Sequence, residues 1–281
     1  MRDLSADHDL RWLSLNTGTV RAQGDFLAIL EAAKRHGISI VSPWRDQIDA
    51  IGLDEAARIV KDNKIRVTGV CRGGMFPGVD AADRQKRIDD NLRAIDQAAA
   101  LNADCLVLVV GGLPGSSKDL PGAREQVTDG IAAMLPHANA SGVKIAIEPL
   151  HPMYAADRAC VNTTDQALDI CEKLGETVGV ALDVYHIWWD PNLANAIARA
   201  GRMKRIFAHH ICDWLVPTRD MLNDRGMMGD GVIDLKGIRK MIEDAGFNGP
   251  QEVEIFSTEN WWQRPGDEVL QVIKERVATV C

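Results

Sequence analysis

At 281 residues and 30.8 kDa, the chain is somewhat above the length of one (β/α)₈ barrel and long for two ordinary domains. Hydrophobic residues at 46% and charged residues at 26% give the balance of a soluble globular enzyme with enough apolar side chain for a large core. A net charge of −8 and a pI near 5.4, with no basic stripe to relieve it, exclude a nucleic-acid partner, because phosphate would be repelled.

In chain order, the N-terminal stretch MRDLSADHDLRWLSLN has acids where a signal peptide has its apolar segment. The longest apolar run, Cys105–Val110, is far short of the ~20 residues of a bilayer span, so no membrane partner is expected. Six cysteines, at 71, 105, 160, 171, 212 and 281, show neither CxxC nor framework spacing. A cytoplasmic protein with reduced thiols is the expectation.

Short β-branched runs alternate with longer amphipathic stretches. The predicted strands are Trp12–Asn16, Ile38–Ser42, Arg66–Cys71, Cys105–Val110, Val143–Glu148, Val178–Asp183, Arg205–His210 and Glu252–Phe256. Between them, DFLAILEAAKRHG, LDEAARIVKDN, ADRQKRIDDNLRAIDQAAALN and TTDQALDICEKLG carry the i, i+3, i+4, i+7 apolar spacing of one-sided helices. Gly37, Gly142 and Gly175 stand just before the next strand, as helix-terminating residues do. Parallel strands need crossovers, and eight βα units close into a barrel. The expected fold is therefore α/β, a single (β/α)₈ TIM barrel spanning residues 1–281. A doubly wound sheet is the alternative, but no GxGxxG follows the first strand, and Gly111–Gly112 signals only a flexible loop.

Strands buried on both faces should read as nearly continuous apolar runs. Four of these instead finish on a metal-type ligand, namely IAIEPLHP at Glu148, GVALDVYH at Asp183, IFAHHICD at His210 and EVEIFS at Glu254. Alternation points Ala146, Ala181 and Ala208 inward beneath the first three, and turns Ile147, Leu182 and His209 toward the helices. On the eighth strand the matching inward residue is Glu252, for which Lys144, inward by the same parity, is a candidate partner. One such carboxylate is ordinarily a helix cap or surface ion pair, and a lone His is ordinarily a satisfied core residue. Four on successive strands at the catalytic end resist that explanation, because crowded carboxylates repel unless a cation neutralises them. Three carboxylates and one imidazole suit one divalent ion, Mn²⁺ first, with Mg²⁺ or Co²⁺ as alternatives.

From Leu13 onward these segments resemble the xylose-isomerase-like superfamily of sugar isomerases and epimerases, nearest to inosose isomerases, ketose 3-epimerases and hydroxypyruvate isomerases. The resemblance implies that Glu148, Asp183, His210 and Glu254 bind one ion. It also implies that His186, in Asp183-Val-Tyr-His186, lies at the rim beside substrate oxygens, and that Arg225, ahead of Gly229-Asp230-Gly231, grips substrate hydroxyls. The implied chemistry is proton removal next to a metal-polarised carbonyl through a metal-bound enediolate, with Glu148 and Glu254 as catalytic bases on opposite faces. Two bases give epimerisation and one gives isomerisation. A leaving group β to the carbanion gives instead the elimination of an inosose or 3-keto-sugar dehydratase.

The sequence departs from the family at the mouth. The stretch WLVPTRDMLND lengthens the loop before Arg225, so Arg219 competes with it, and HPMYAADRACVNT adds His151 and Arg158. Six of seven tryptophans follow strands 2, 6, 7 and 8, Trp189 among them as a substrate-facing candidate. Their faces suit the C–H face of a small-molecule sugar or cyclitol. A subunit interface is the other use of such residues, and a homo-oligomer is compatible with both. No Gly-rich phosphate cradle follows strands 7 or 8, so the expected substrate is unphosphorylated. A metal-dependent nuclease of a related barrel family is opposed by the charge, and a non-catalytic subunit by the complete ligand set.

Overall fold

The computed structural model describes residues 1–4 and 10–281. The expectation drawn from the N-terminal stretch rests partly on residues 5–9, which lie outside the described residues.

Among the described residues, nine strand segments form one parallel sheet, in the order β3, β2, β1, β11, β8, β7, β6, β5, β4. They are β1 (Leu13–Asn16), β2 (Ile40–Ser42), β3 (Arg66–Val67), β4 (Val70–Gly74), β5 (Cys105–Val109), β6 (Lys144–Ile147), β7 (Val178–Asp183), β8 (Ile206–Ile211) and β11 (Gln251–Val253). The two ends, β3 and β4, are successive pieces of one stave, so the sheet closes as an eight-stave barrel. Backbone bonds from Thr68 N–H to Val41 O (3.0 Å) and from Cys71 N–H to Pro43 O (2.9 Å) carry the second stave across the break. The third strand, expected as one run over Arg66–Cys71, is thus split at Thr68–Gly69 and extends to Gly74. The eighth, expected to reach Phe256, ends at Val253, because the Ile255 N–H leaves the ladder for the Thr19 hydroxyl (2.9 Å). A two-stranded antiparallel ribbon, β9 (Asp213–Trp214) with β10 (Arg225–Gly226), stands beyond β8.

The expected helices form as α1 (Phe26–Arg35), α3 (Leu53–Asp62), α4 (Ala81–Ala100) and α6 (Thr164–Leu174), with Asp25, Asp80 and Thr163 capping three of them through their side chains. The described residues also form helices α2 (Arg45–Ile51), α5 (Leu120–Ser141), α7 (Val184–Ile187), α8 (Leu193–Arg202), α9 (Leu235–Asp244) and α10 (Gly266–Thr279). Among the described residues no helix is long and apolar enough to cross a membrane.

Two cores follow from strand alternation. Ile147, Leu182 and the other outward residues join a large cluster between sheet and helices. A smaller cluster of Cys71, Cys105, Val107, Ala146, Ala181 and Ala208 fills the barrel interior. The three alanines are those expected beneath the candidate ligands, and their small side chains leave the space above them to polar groups.

Candidate metal centre

Four polar side chains top the interior cluster at the C-terminal ends of their staves. Glu148 follows β6, its N–H bound to Leu108 O (3.1 Å), and Glu254 follows β11, its N–H bound to Ile211 O (3.1 Å). Asp183 ends β7, where its Oδ1 accepts from the Tyr185 N–H (2.8 Å) and caps α7. His210 lies on β8, in register with both Asp183 and Glu252. One potential ligand atom from each of Glu148, Asp183, His210 and Glu254 lies within 4.8 Å of the others, and all four residues are buried.

The imidazole of His210 is oriented by carboxylates on both sides. Its Nδ1 is 3.1 Å from Glu148 Oε1 and 3.6 Å from Glu254 Oε2, while Nε2 is 3.5 Å from Glu252 Oε1. Glu252 sits one layer lower and is held by Asn16 Nδ2 (2.8 Å) and the Thr68 hydroxyl (3.0 Å). Lys144 is not its partner. That side chain is exposed where β6 begins, its Nζ 5.1 Å from the Phe207 ring, and no hydrogen bond or ion pair joins it to Glu252. His209 faces away from the barrel, edge-on to Phe247 at 6.4 Å, as the alternation requires.

Sequence reasoning missed Asn16. Its Nδ2 donates to both Glu252 (2.8 Å) and Glu254 (3.0 Å), and its Oδ1 accepts from Trp44 Nε1 (2.7 Å). The available signal was a polar residue ending the first strand, LSLN, as on the four staves that were noticed.

Arg225 enters the cluster itself. Its Nη1 donates to Asp183 Oδ2 (2.9 Å) and Glu254 Oε2 (3.2 Å), and its Nη2 lies 3.3 Å from His186 Nε2. Arg219 pairs instead with Asp224, its side chain 55% exposed, which separates the two competing arginines. His186 is buried at 2% exposure rather than standing at an open rim, because the single turn of α7 folds it back beneath Tyr154 and Tyr185. Half-buried His151 stacks on Trp214 (5.1 Å between centroids) and meets the edge of Trp189 (5.5 Å), whose Nε1 donates to His186 O (2.8 Å). The hydroxyls of Tyr154 and Tyr185 both donate to Met221 O, tying the long loop before Arg225 over this wall.

Charge and burial set the protonation states. Burial pushes the Glu148 carboxyl above the usual range, with the charge of Glu254 adding to it. Burial would also raise Glu254, but the His210 hydrogen bond and the Arg225 charge hold it below that range. Although burial opposes the charged imidazolium, Glu252, Glu148 and Glu254 together hold the His210 pKa well above the usual histidine range. Burial brings His186 down to about 3, so it is neutral at pH 7.

This donor set fits a divalent cation. Glu148, Asp183, Glu252 and Glu254 form a buried cluster of acids with Arg225 as the guanidinium among them, and hard oxygen donors with one imidazole match such an ion. Among the described residues the buried His210 Nε2 has no hydrogen-bond partner, and Glu252 Oε1 stands 3.5 Å from it, on the side where a carboxylate steadies a histidine that coordinates through its other nitrogen.

The family model described as the xylose isomerase-like TIM barrel matches residues 30–276. An inosose isomerase of Halalkalibacterium halodurans is 24% identical over 282 residues, covering 95% of both chains. The structure of protein SMc04130 from Sinorhizobium meliloti 1021 is 66% identical with a TM-score of 0.96, over 97% of this chain and 99% of that one. An IolI protein with a bound zinc atom shares the fold at a TM-score of 0.82 and 22% identity, over 95% and 97% of the two chains.

Proposed function

The chain belongs to the xylose isomerase-like TIM-barrel family, and from that premise we propose a divalent-metal-dependent isomerase or epimerase that moves a proton next to the carbonyl of a sugar, keto-sugar or inosose. The observation that carries this reading is the meeting of Glu148, Asp183, His210 and Glu254 within 4.8 Å at the catalytic end of the barrel. The inosose isomerase similar over 95% of the chain supports the choice of substrate class. Six buried thiols, none in a disulfide, support a reducing, cytoplasmic setting.

Those four side chains would hold the ion, Mn²⁺ by preference. When bound, it supplies Lewis-acid polarisation of the substrate carbonyl. The remaining work belongs to the protein. Glu148 and Glu254 stand on staves separated by β7 and β8, so they address a substrate from different sides. Glu254, kept ionised by Arg225, takes the proton from the carbon beside the carbonyl. Glu148, on the stave across β7 and β8, returns one to the other face. Return from the opposite face gives an epimer, and return to the neighbouring carbon gives an aldose–ketose pair. Neutral His186 and the Arg225 fork hold substrate oxygens. His151 and Trp189, packed edge to face beside the site, wall the substrate ring and keep water out.

The test is solvent deuterium uptake by a panel of keto-sugars and inososes, with protein loaded with Mn²⁺. We expect one deuteron to enter next to the carbonyl of at least one substrate, without loss of water and abolished by a chelator. Loss of water from the same substrates assigns the protein to the dehydratases, and no exchange with any of them removes the proposal.

A further inference from the structure

Stave three carries a bulge at an arginine. Val70 pairs with Leu106 and Gly73 with Leu108, so Cys71 and Arg72 together face the single residue Val107. Cys71 and Val107 belong to the interior cluster. Gly73 faces the helices, since a Cβ there would meet Asn91, Leu106 and Leu108. Arg72 is the extra residue, and such bulges commonly re-aim a side chain beside an active site. Its carbonyl is held by Arg45 Nη1 (3.5 Å).

Arg158 stands on the adjoining wall. Its carbonyl accepts from the Gly111 N–H (2.9 Å), fixing the loop after Glu148 against the end of β5, and its guanidinium lies 5.8 Å from the Tyr154 ring. Both arginines are half-buried. Among the described residues neither guanidinium forms a hydrogen bond or ion pair, and the buried Arg158 Nε has no partner. Arg45 and Arg225, by contrast, are matched to Asp90 and to Asp183 with Glu254. Burial lowers the Arg72 pKa and the charge of Arg158 lowers it further, against a smaller raising effect of Glu148, so the two cations oppose one another. An oxyanion between them relieves that repulsion and satisfies planar donors suited to it.

We propose that Arg72 and Arg158 form an oxyanion subsite in the mouth of the barrel, selecting substrates that carry a carboxylate or phosphate away from the reacting carbonyl. This rests on the proposed function for the identity of the mouth as a substrate site, and it narrows the substrate to acidic sugars or cyclitols.

Calorimetric binding to the Mn²⁺-loaded protein tests it with three six-carbon probes. D-Glucitol is neutral, D-gluconate replaces one terminus with a carboxylate, and D-glucitol 6-phosphate carries a phosphate. We expect at least one anion to bind about tenfold or more tighter than glucitol, as charge-assisted bonds to arginine imply. Whichever anion is preferred identifies the source of the charge. Arg72→Gln and Arg158→Gln should each remove about tenfold of that preference and leave the glucitol affinity unchanged. Arg158 lies on a loop, so its variant preserves the test if Arg72→Gln does not fold. The proposal is overturned if neither anion binds tighter than glucitol. It is equally overturned if the preference survives the substitutions, which would put the anion on the metal. Deuterium exchange reads the proposed function separately: exchange without an anion preference sinks only the subsite, and a preference without exchange sinks only the reaction.

Discussion

Glu252 and Glu254 are two positions apart on one stave, and both face the barrel interior, yet their surroundings divide their roles. Glu254 touches Arg225 and the Nδ1 side of His210, whereas Glu252 touches Asn16, Thr68 and the Nε2 side. Glu254→Gln should therefore abolish C–H exchange, while Glu252→Gln should keep measurable exchange and lose about tenfold in metal affinity, the usual cost of disturbing a residue behind a ligand. Metal titration and deuterium uptake check the pair, and the reverse assignment would mean the register is misread. His186→Ala should leave metal content intact and lower kcat by roughly 10²–10⁴-fold, as expected of a positioned polar group. An emptied metal site in that variant would make His186 a support of the ligands instead. These residues were legible because strand alternation is strict and a charged group at a buried strand end is conspicuous. Arg72 was not legible, because its direction depends on an extra residue in the stave that alternation does not encode.

Among the elements, the long periodic helices matched their sequence signals closely, with α1, α3, α4 and α6 within two residues of the expected ends. The staves differ where side chains compete with the ladder. Thr19 takes the Ile255 N–H, and the bulge after Val70 shifts the register of β4 on β5. Gly74 closes that bulged segment with φ +112°, and a Cβ there would lie 1.9 Å from Val109 O. Backbone cannot yield as a flexible side chain does, so Gly74→Ala should destabilise the protein by at least about 2 kcal/mol in denaturant unfolding. A loss below about 0.5 kcal/mol would show that the β4–β5 seam is looser than drawn. A change there also moves Arg72, so anion preference should fall with stability.

At the scale of the molecule, the barrel floor is closed by a charged clamp between the chain termini. Glu243 accepts from Arg239 Nε (2.8 Å) and Arg2 Nε (2.9 Å), and Arg239 also donates to the carbonyls of Cys281 and Arg2. Burial would raise the Glu243 pKa, but those hydrogen bonds hold it at about 2 against an ordinary 4.5. A depressed acid stabilises the fold fully above its unfolded pKa, and that contribution disappears as pH falls from about 4.5 toward 2. Glu243→Gln should therefore cost about 3 kcal/mol near pH 7, with the difference from wild type shrinking as pH falls to 3. A constant difference across that range would assign the effect to packing. No element signal could have shown this clamp, since it joins residues 237 positions apart in the chain. The central claim is that the catalytic end binds one ion through four named side chains. Its most direct test is an anomalous difference map from crystals soaked in Mn²⁺. We expect a single peak about 2.0–2.3 Å from carboxylate oxygens of Glu148, Asp183 and Glu254 and in contact with His210 Nδ1. A map with no peak among these four residues, or with the ion held by a different set, would contradict it.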